Sequence, residues 1–295
     1  MDAIKTNSLT KYYGRSRGIT DMNLTVEEGD FFGFIGPNGA GKSTTIRILL
    51  GLIAPTDGSA QILGRDSIRQ REEILSHVGY MPSEASFYRN MRVKDVIKLS
   101  ADLRGRNCRA EAANLCDRLE LDVSKKIREL SLGNRKKVSI VCALQHEPEV
   151  CILDEPTSGL DPLMQREFYA ILEERNAKGA TIFVSSHILS EIQRNCRHAA
   201  IIREGRLLVS DTTESLGHTD TRRVRLSGVG VLPELTQVKD IQTDGDSISF
   251  LYGGDLNILL RTLSELPLTD ISITEPDLEE IFMHYYDTSV KKSLY

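Results

Sequence analysis

The stretch GPNGAGKST, residues 36–44, decides how the rest of the chain is read. It fits the spacing G-x-x-x-x-G-K-[ST]. It also stands between DFFGFIG (30–36), an apolar burst of strand length, and STTIRILLGLI (43–53), whose apolar residues 46, 49, 50 and 53 recur at helical spacing. In that setting Gly36, Pro37, Asn38, Gly39, Ala40 and Gly41 form a loop whose backbone N–H groups can wrap phosphate oxygens. The following helix points its positive end at them. Lys42 adds a mobile positive charge, the Ser43 hydroxyl can ligate Mg²⁺, and Thr44 closes the set of candidate nucleotide-binding residues. The spacing predicts a nucleotide-phosphate site.

Further along, VCILDE (150–155) reads as a buried strand with Asp154 and Glu155 at its carboxyl end, where ligands bind in open α/β sheets. Asp154 is placed to hold the Mg²⁺ shell, and Glu155 to orient or deprotonate an attacking water. ATIFVSSH (180–187) puts His187 at the end of another strand, within reach of a γ-phosphate. A second phosphate-like feature lies at LSLGNRKKV (130–138). There Ser131 can cap a helix, Gly133 permits close backbone approach, and Arg135, Lys136 and Lys137 bring positive charge. An aromatic face at Tyr12 and Tyr13 can stack on a base.

Around these motifs the pattern is that of an α/β chain. The segments AIKTNSLTKYY (3–13) and ITDMNLTVEEGD (19–30) alternate apolar and polar residues and predict short N-terminal strands; GSAQILGRD (58–66) and HVGYMP (77–82) predict more. Residues 87–147 carry helical periodicity without a strand signal and predict a helical insert. Strand–helix alternation then resumes, ending in RHAAIIREGRLLVSD (197–211), a hairpin turning at Glu204-Gly205. Apolar strands joined by helices predict a sheet covered on both faces. Past a polar linker, SDTTESLGHTD (210–220), the strands RRVRLSG, SISFLYG and DISITEP alternate with helices at 255–266 and 277–286. The domains expected are 1–215, with its helical part at about 87–147, and a small α+β module at 216–295.

Composition is that of a globular protein: 295 residues, 40% hydrophobic and 27% charged. A net charge of −5 leaves no basic excess for general nucleic-acid binding, so no nucleic-acid partner is expected. The five cysteines show no C-x-x-C spacing and read as free thiols in a reducing compartment. The N-terminus lacks a signal-peptide pattern. The longest apolar run, near 48–54, is far below the about 18 residues that span a bilayer, so a cytosolic chain is expected whose membrane role would come through a partner.

Taken in order, these motifs closely resemble the ATPase subunits of ATP-binding cassette (ABC) transporters, over at least residues 3–210. Tyr13 matches the adenine-stacking aromatic, 36–44 the Walker A loop and VCILDE the Walker B strand with its catalytic glutamate. SGLD (158–161), ending in Asp161, matches the D-loop, His187 the switch histidine and LSLGN the signature usually written LSGGQ. Leu132 and Asn134 depart from that signature. Ser83, in VGYMPSEASFY (78–88), stands where the family carries the Q-loop glutamine, so a serine hydroxyl would face Mg²⁺ there, through water. The resemblance implies a P-loop NTPase (RecA-like) core with an N-terminal antiparallel β subdomain and a helical subdomain. It further implies ATP as substrate with Mg²⁺, an ATP-sandwich homodimer in which Ser131, Gly133 and Asp161 serve the partner's nucleotide, and integral membrane permease subunits as partners. The chain would sit peripherally on the cytoplasmic side of the cell membrane. The ending EPDLEEIFMHYY (275–286) resembles an extension on exporter subunits, so export is the expected direction.

The other reading, a soluble cassette ATPase acting on ribosomes or DNA, fits less well. Ribosome-acting relatives carry two cassettes in one chain and DNA-acting ones insert long coiled coils, whereas this chain has one P-loop and no sustained heptads. A regulator that binds but does not hydrolyse is disfavoured by Lys42, Asp154, Glu155 and His187 all being present.

Overall fold

In a computed structural model of the chain, the residues described are 1–84, 86–217, 221–229, 232, 235–274 and 276. By backbone contacts the chain divides into two compact units, Met1–Thr213 and Glu214–Tyr295.

The N-terminal strands are β1 (Asp2–Tyr13), β2 (Ser16–Met22) and β3 (Thr25–Glu27). The apolar burst is β4 (Phe31–Ile35), buried at every position, and the loop after it leads into α1 (Lys42–Leu49). Next come β5 (Asp57–Ile62), β6 (Arg65–Asp66), α2 (Arg71–His77) and β7 (Val78–Met81). Antiparallel pairing orders the first sheet β2-β1-β5-β6, with β3 also on β1. Its buried residues Ile4, Leu9, Ile19, Met22 and Ile62 share one core cluster with Ile46, Ile48 and Leu49 of α1. The helix ends at Leu49, before the periodic run does, and Ile53 packs against the same cluster from the following turn.

The expected helical part is α3 (Val93–Asp102), α4 (Arg109–Arg118) and α5 (Leu132–Leu144). Buried Val93, Val96, Ile97 and Ala101 line one face of α3, the spacing that makes it amphipathic. The chain then returns to the sheet through β8 (Val150–Asp154), α6 (Pro162–Ala177), β9 (Thr181–Ser186), α7 (Leu189–Asn195), β10 (His198–Arg203) and β11 (Arg206–Thr212). The second sheet runs β11-β10-β4-β9-β8-β7, parallel from β10 to β7, with β11 antiparallel at the edge. β4, β8 and β9 are buried along their whole lengths, as strands covered on both faces must be. The β10–β11 hairpin turns where expected, with φ 48° at Glu204 and 74° at Gly205, both positive as a type I′ turn requires.

Two basic residues depart from expectation. Lys136 and Lys137 read from the sequence as charge offered to solvent or ligand, yet they are only 3% and 9% exposed. α5 is covered by neighbouring elements for most of its length, and the long lysine stems accommodate that burial. Ion pairs join α4 to α6, where Arg118 meets Glu167 at 2.5 Å and Glu174 at 2.7 Å and Arg175 pairs with Glu111; Arg175 also meets Glu147, past α5, at 2.6 Å.

His146, just past α5, is 3% exposed, and its Nε2 lies 3.3 Å from the Val78 carbonyl oxygen. Burial, reinforced by Arg104 nearby, holds its pKa down to about 4 against 6.5 in a free histidine. The unfolded chain therefore binds a proton that the folded chain refuses as pH falls from 6.5 towards 4. His146 adds its full stabilisation above 6.5 and loses it across that window, up to about 3 kcal/mol. Urea midpoints at pH 7 and pH 4.5 should show a smaller pH-dependent loss for His146→Gln than for the parent; equal losses would remove His146 from the acid sensitivity.

The division falls at the first residue of α8 (Thr213–Gly217), where the sequence predicts only a polar linker. Then follow β12 (Arg222–Ser227), β13 (Val238–Asp244), β14 (Ser247–Tyr252), α9 (Leu256–Ser264) and β15 (Asp270–Thr274). The sheet is antiparallel, in the order β13-β14-β12-β15. Val224, Leu226, Ile248, Phe250 and Tyr252 form its core with Leu259 and Leu263 of α9. β13 is an edge strand exposed at almost every position, and its polar sequence gives no alternation to read. The helix expected at 277–286 lies outside the described residues.

Candidate active site

At the carboxyl end of β4 the chain turns through residues 36–41 into α1. Gly41 makes this possible: its φ is 111°, and a Cβ there would stand 2.7 Å from Ile19 Cγ2, so both conformation and space require glycine. Lys42, 6% exposed, donates from Nζ to the carbonyl oxygens of Gly36 at 2.6 Å and Pro37 at 3.2 Å. The same ammonium lies 3.1 Å from Glu155 Oε1. The charge is thus held over the loop, between backbone carbonyls and a carboxylate.

The strands β8 and β9 bring the remaining groups. Ser43 donates from Oγ to Asp154 Oδ2 at 2.7 Å, and Ser185 Oγ donates to Asp154 Oδ1 at 2.5 Å. Both carboxylate oxygens are therefore fixed by hydroxyls, and Asp154 is 2% exposed. Glu155 follows with φ 49°, a left-handed backbone uncommon outside glycine. Its N–H donates to the Ser185 carbonyl oxygen at 3.2 Å and to Ser185 Oγ at 3.1 Å, which holds that turn in place. The turn aims Oε2 at His187 Nδ1, 2.6 Å away. Ser186 steadies the histidine's loop, donating from Oγ to Glu191 Oε2 at 2.6 Å while accepting from the Ile188 N–H at 3.0 Å.

A cleft of about 310 Å³ joins Tyr13, the 38–44 loop, Ser83 and Glu155. Tyr13 is 46% exposed, and Lys11 Nζ lies 5.5 Å from its ring centroid. The structure thus brings Tyr13, residues 36–44, Ser83, Asp154, Glu155 and His187 to one end of the parallel sheet and its margin.

Ser131, Gly133 and Asp161 take other local roles. Ser131 caps α5, its Oγ accepting from the Asn134 N–H at 3.3 Å. Asp161 caps α6, accepting from the N–H groups of Leu163 at 3.1 Å and Met164 at 3.0 Å, with Pro162 in the first turn. At Gly133 a Cβ would stand 2.7 Å from the Gly159 carbonyl oxygen, so glycine is what lets α5 approach the loop leading to Asp161. Leu132 is 62% exposed.

Sequence reasoning missed Ser185, which ties Asp154 to the Glu155 turn. Its only signal was a hydroxyl next to the strand end that carries His187. It named Lys136 only as positive charge, without its contact: Nζ donates to the Ser83 carbonyl oxygen at 2.7 Å.

A glycine-rich loop clasping a lysine, with a serine and an aspartate beside it at the end of a parallel sheet, defines a P-loop nucleotide-binding protein. Residues 19–158 match the family described as ABC transporter. The bacitracin transport ATP-binding protein BcrA of Bacillus licheniformis is 35% identical over 95% of this chain and 96% of its own length. Among solved structures, an ATP-binding subunit of an ABC transporter is 31% identical, with a TM-score of 0.68 over 72% of this chain and 91% of that one. The fold also matches dimeric MJ0796, a bacterial ABC transporter cassette, at 23% identity and a TM-score of 0.67, over 71% of this chain and 98% of that one. The chain belongs to the ATP-binding subunits of ABC transporters: it binds and hydrolyses ATP.

Proposed function

We propose that this ATPase drives export through a separate membrane permease, working at the cytoplasmic face as a homodimer with ATP sandwiched between the copies. Each nucleotide would be held by the Walker loop of one chain, with Tyr13 stacked on its base, and would be met by Ser131, the Gly133 amide and Asp161 of the other copy. The two phosphate-like features of the sequence are then halves of one composite site. Among the described residues no helix is long and apolar enough to cross a membrane, so the pathway for substrate falls to other chains. The lean to export rests on the C-terminal extension, and the match to a bacitracin transport protein extends over nearly the whole chain.

The observation that carries the catalytic part is the line His187–Glu155–Lys42, with contacts of 2.6 and 3.1 Å. Glu155 is positioned as the base for water and His187 orients it. Lys42, already drawn towards the loop, is poised to exchange carbonyl oxygens for phosphate oxygens. A divalent cation fits beside them: Ser43 Oγ and Asp154 Oδ2, two oxygen donors 2.7 Å apart, suit Mg²⁺, which takes few protein ligands and completes its shell with phosphates and water. Ser43 and Asp154 would hold it, Ser83 would reach it through water, and it would neutralise charge on the phosphates.

The transport reading is tested by fractionation. A tagged chain expressed in its native cell should sediment with membranes and, after mild detergent, elute with an integral membrane protein whose presence changes its ATPase rate. A chain found wholly in the soluble fraction, or travelling with ribosomes, would sink the proposal.

A further inference from the structure

α5 begins at the face offered to a partner's nucleotide, and five residues beyond Ser131 it carries Lys136. That side chain is 3% exposed, unusual for a lysine in the middle of a helix. Its one hydrogen bond shown is the 2.7 Å contact to the Ser83 carbonyl oxygen. The acids whose charge acts on it lie at the ends of two neighbouring strands, without a direct ion pair to it: Asp154 closes β8, Glu155 follows it, and Glu84 follows β7. β7 and β8 pair in parallel up to Met81 and Leu153, so the chain leaves both strands side by side at that edge. Burial pulls the ammonium towards its neutral form, while the three carboxylates favour the charged one. An ammonium taken out of water is costly unless a hydrogen bond and nearby opposite charge offset it, and a flexible stem would otherwise swing to solvent.

We propose that Lys136 is a positioning residue, which ties the Ser83 loop and the helix headed by Ser131 to the Asp154–Glu155 edge. The acids that act on a chain's own nucleotide and the helix that serves its partner's nucleotide then move as one body. Neither P-loop nor signature contains this link. It is made to a backbone carbonyl, which any residue at 83 would supply. The proposal rests on the reading of Glu155 as the base.

The test uses the full chain with Lys136→Met, Lys136→Gln and Lys136→Arg, and Glu155→Gln in parallel. ATPase kcat and KM, affinity for a fluorescent ATP analogue and thermal midpoint are measured for each. Lys136→Met should lower kcat about tenfold or more with KM and analogue affinity held within about twofold, since misplacing a catalytic pair costs rate while the Walker loop still binds. Lys136→Gln keeps a donor but loses charge and should fall between. Lys136→Arg should restore at least about half of the parent kcat. A Met variant retaining most of its kcat, an Arg variant as slow as Met, or a KM that rises in step with the loss would overturn the proposal. Should Lys136→Met fail to fold, equal rates for the Gln and Arg variants would overturn it in the same way. Parent-like turnover in Glu155→Gln would instead place the fault in the assignment of the base.

Discussion

Glu155→Gln should lower ATP turnover by about 10²–10⁴, equivalent to roughly 3–5 kcal/mol of transition-state stabilisation, and should leave ATP binding intact. The argument is local. Glutamine preserves the shape of a side chain whose two oxygens face Lys42 at 3.1 Å and His187 at 2.6 Å, and whose backbone turn is held by Ser185, so the loop has no reason to rearrange. What it removes is the ability to accept a proton from water. With hydrolysis blocked, ATP should accumulate a stable dimer, visible as a doubled mass by light scattering that ADP does not produce. Turnover within twofold of the parent would show that another group is the base.

Gly133→Val in the Glu155→Gln background should abolish that ATP-dependent dimer, and in the parent should reduce turnover by about 10² or more, the order lost when a backbone donor to a developing charge is removed. A Cβ at 133 stands 2.7 Å from the Gly159 carbonyl oxygen, so any side chain must push α5 away from the loop that carries Asp161. It also adds bulk to the first turn, where Ser131 caps the helix and the free N–H groups point outward. Fluorescent ATP should still bind each monomer with near-parent affinity, because residues 36–44 lie on a different element. Loss of monomer binding would mean that the substitution had damaged the fold rather than the composite face.

The parts of the fold legible in the sequence are those where burial and period agree. β4, β8 and β9 are continuous apolar runs because both faces of the sheet are covered, and α3 announces itself by Val93, Val96, Ile97 and Ala101. The Walker loop was legible because its chemistry demands glycine at fixed intervals. α2, with Ile74 alone buried, and β13, exposed almost throughout, had no pattern to betray them. Lys136 was hidden for the opposite reason. Charge in a sequence suggests water, and only the packing of α5 reveals that this lysine lies inside, within the field of acids at the ends of two strands. Ser185 likewise is an ordinary strand-end serine until Asp154 is set beside it.

The order β10-β4-β9 in the parallel sheet also governs how the chain can be made. β4 emerges early, yet its backbone partners are residues 182–186 on one side and 198–201 on the other. Until synthesis has reached residue 182 this apolar strand has no parallel neighbour on either edge, its second edge waits for residues 198–201, and the Walker loop that follows it lacks Asp154, Glu155 and His187 until those residues are made in turn. A nascent chain therefore carries an unpaired, β-prone segment through about half of its synthesis, the condition under which chaperones are needed and aggregation competes. Residues far apart in the sequence share one site because they share one sheet, and the same sharing means the site cannot be completed before His187 has been made.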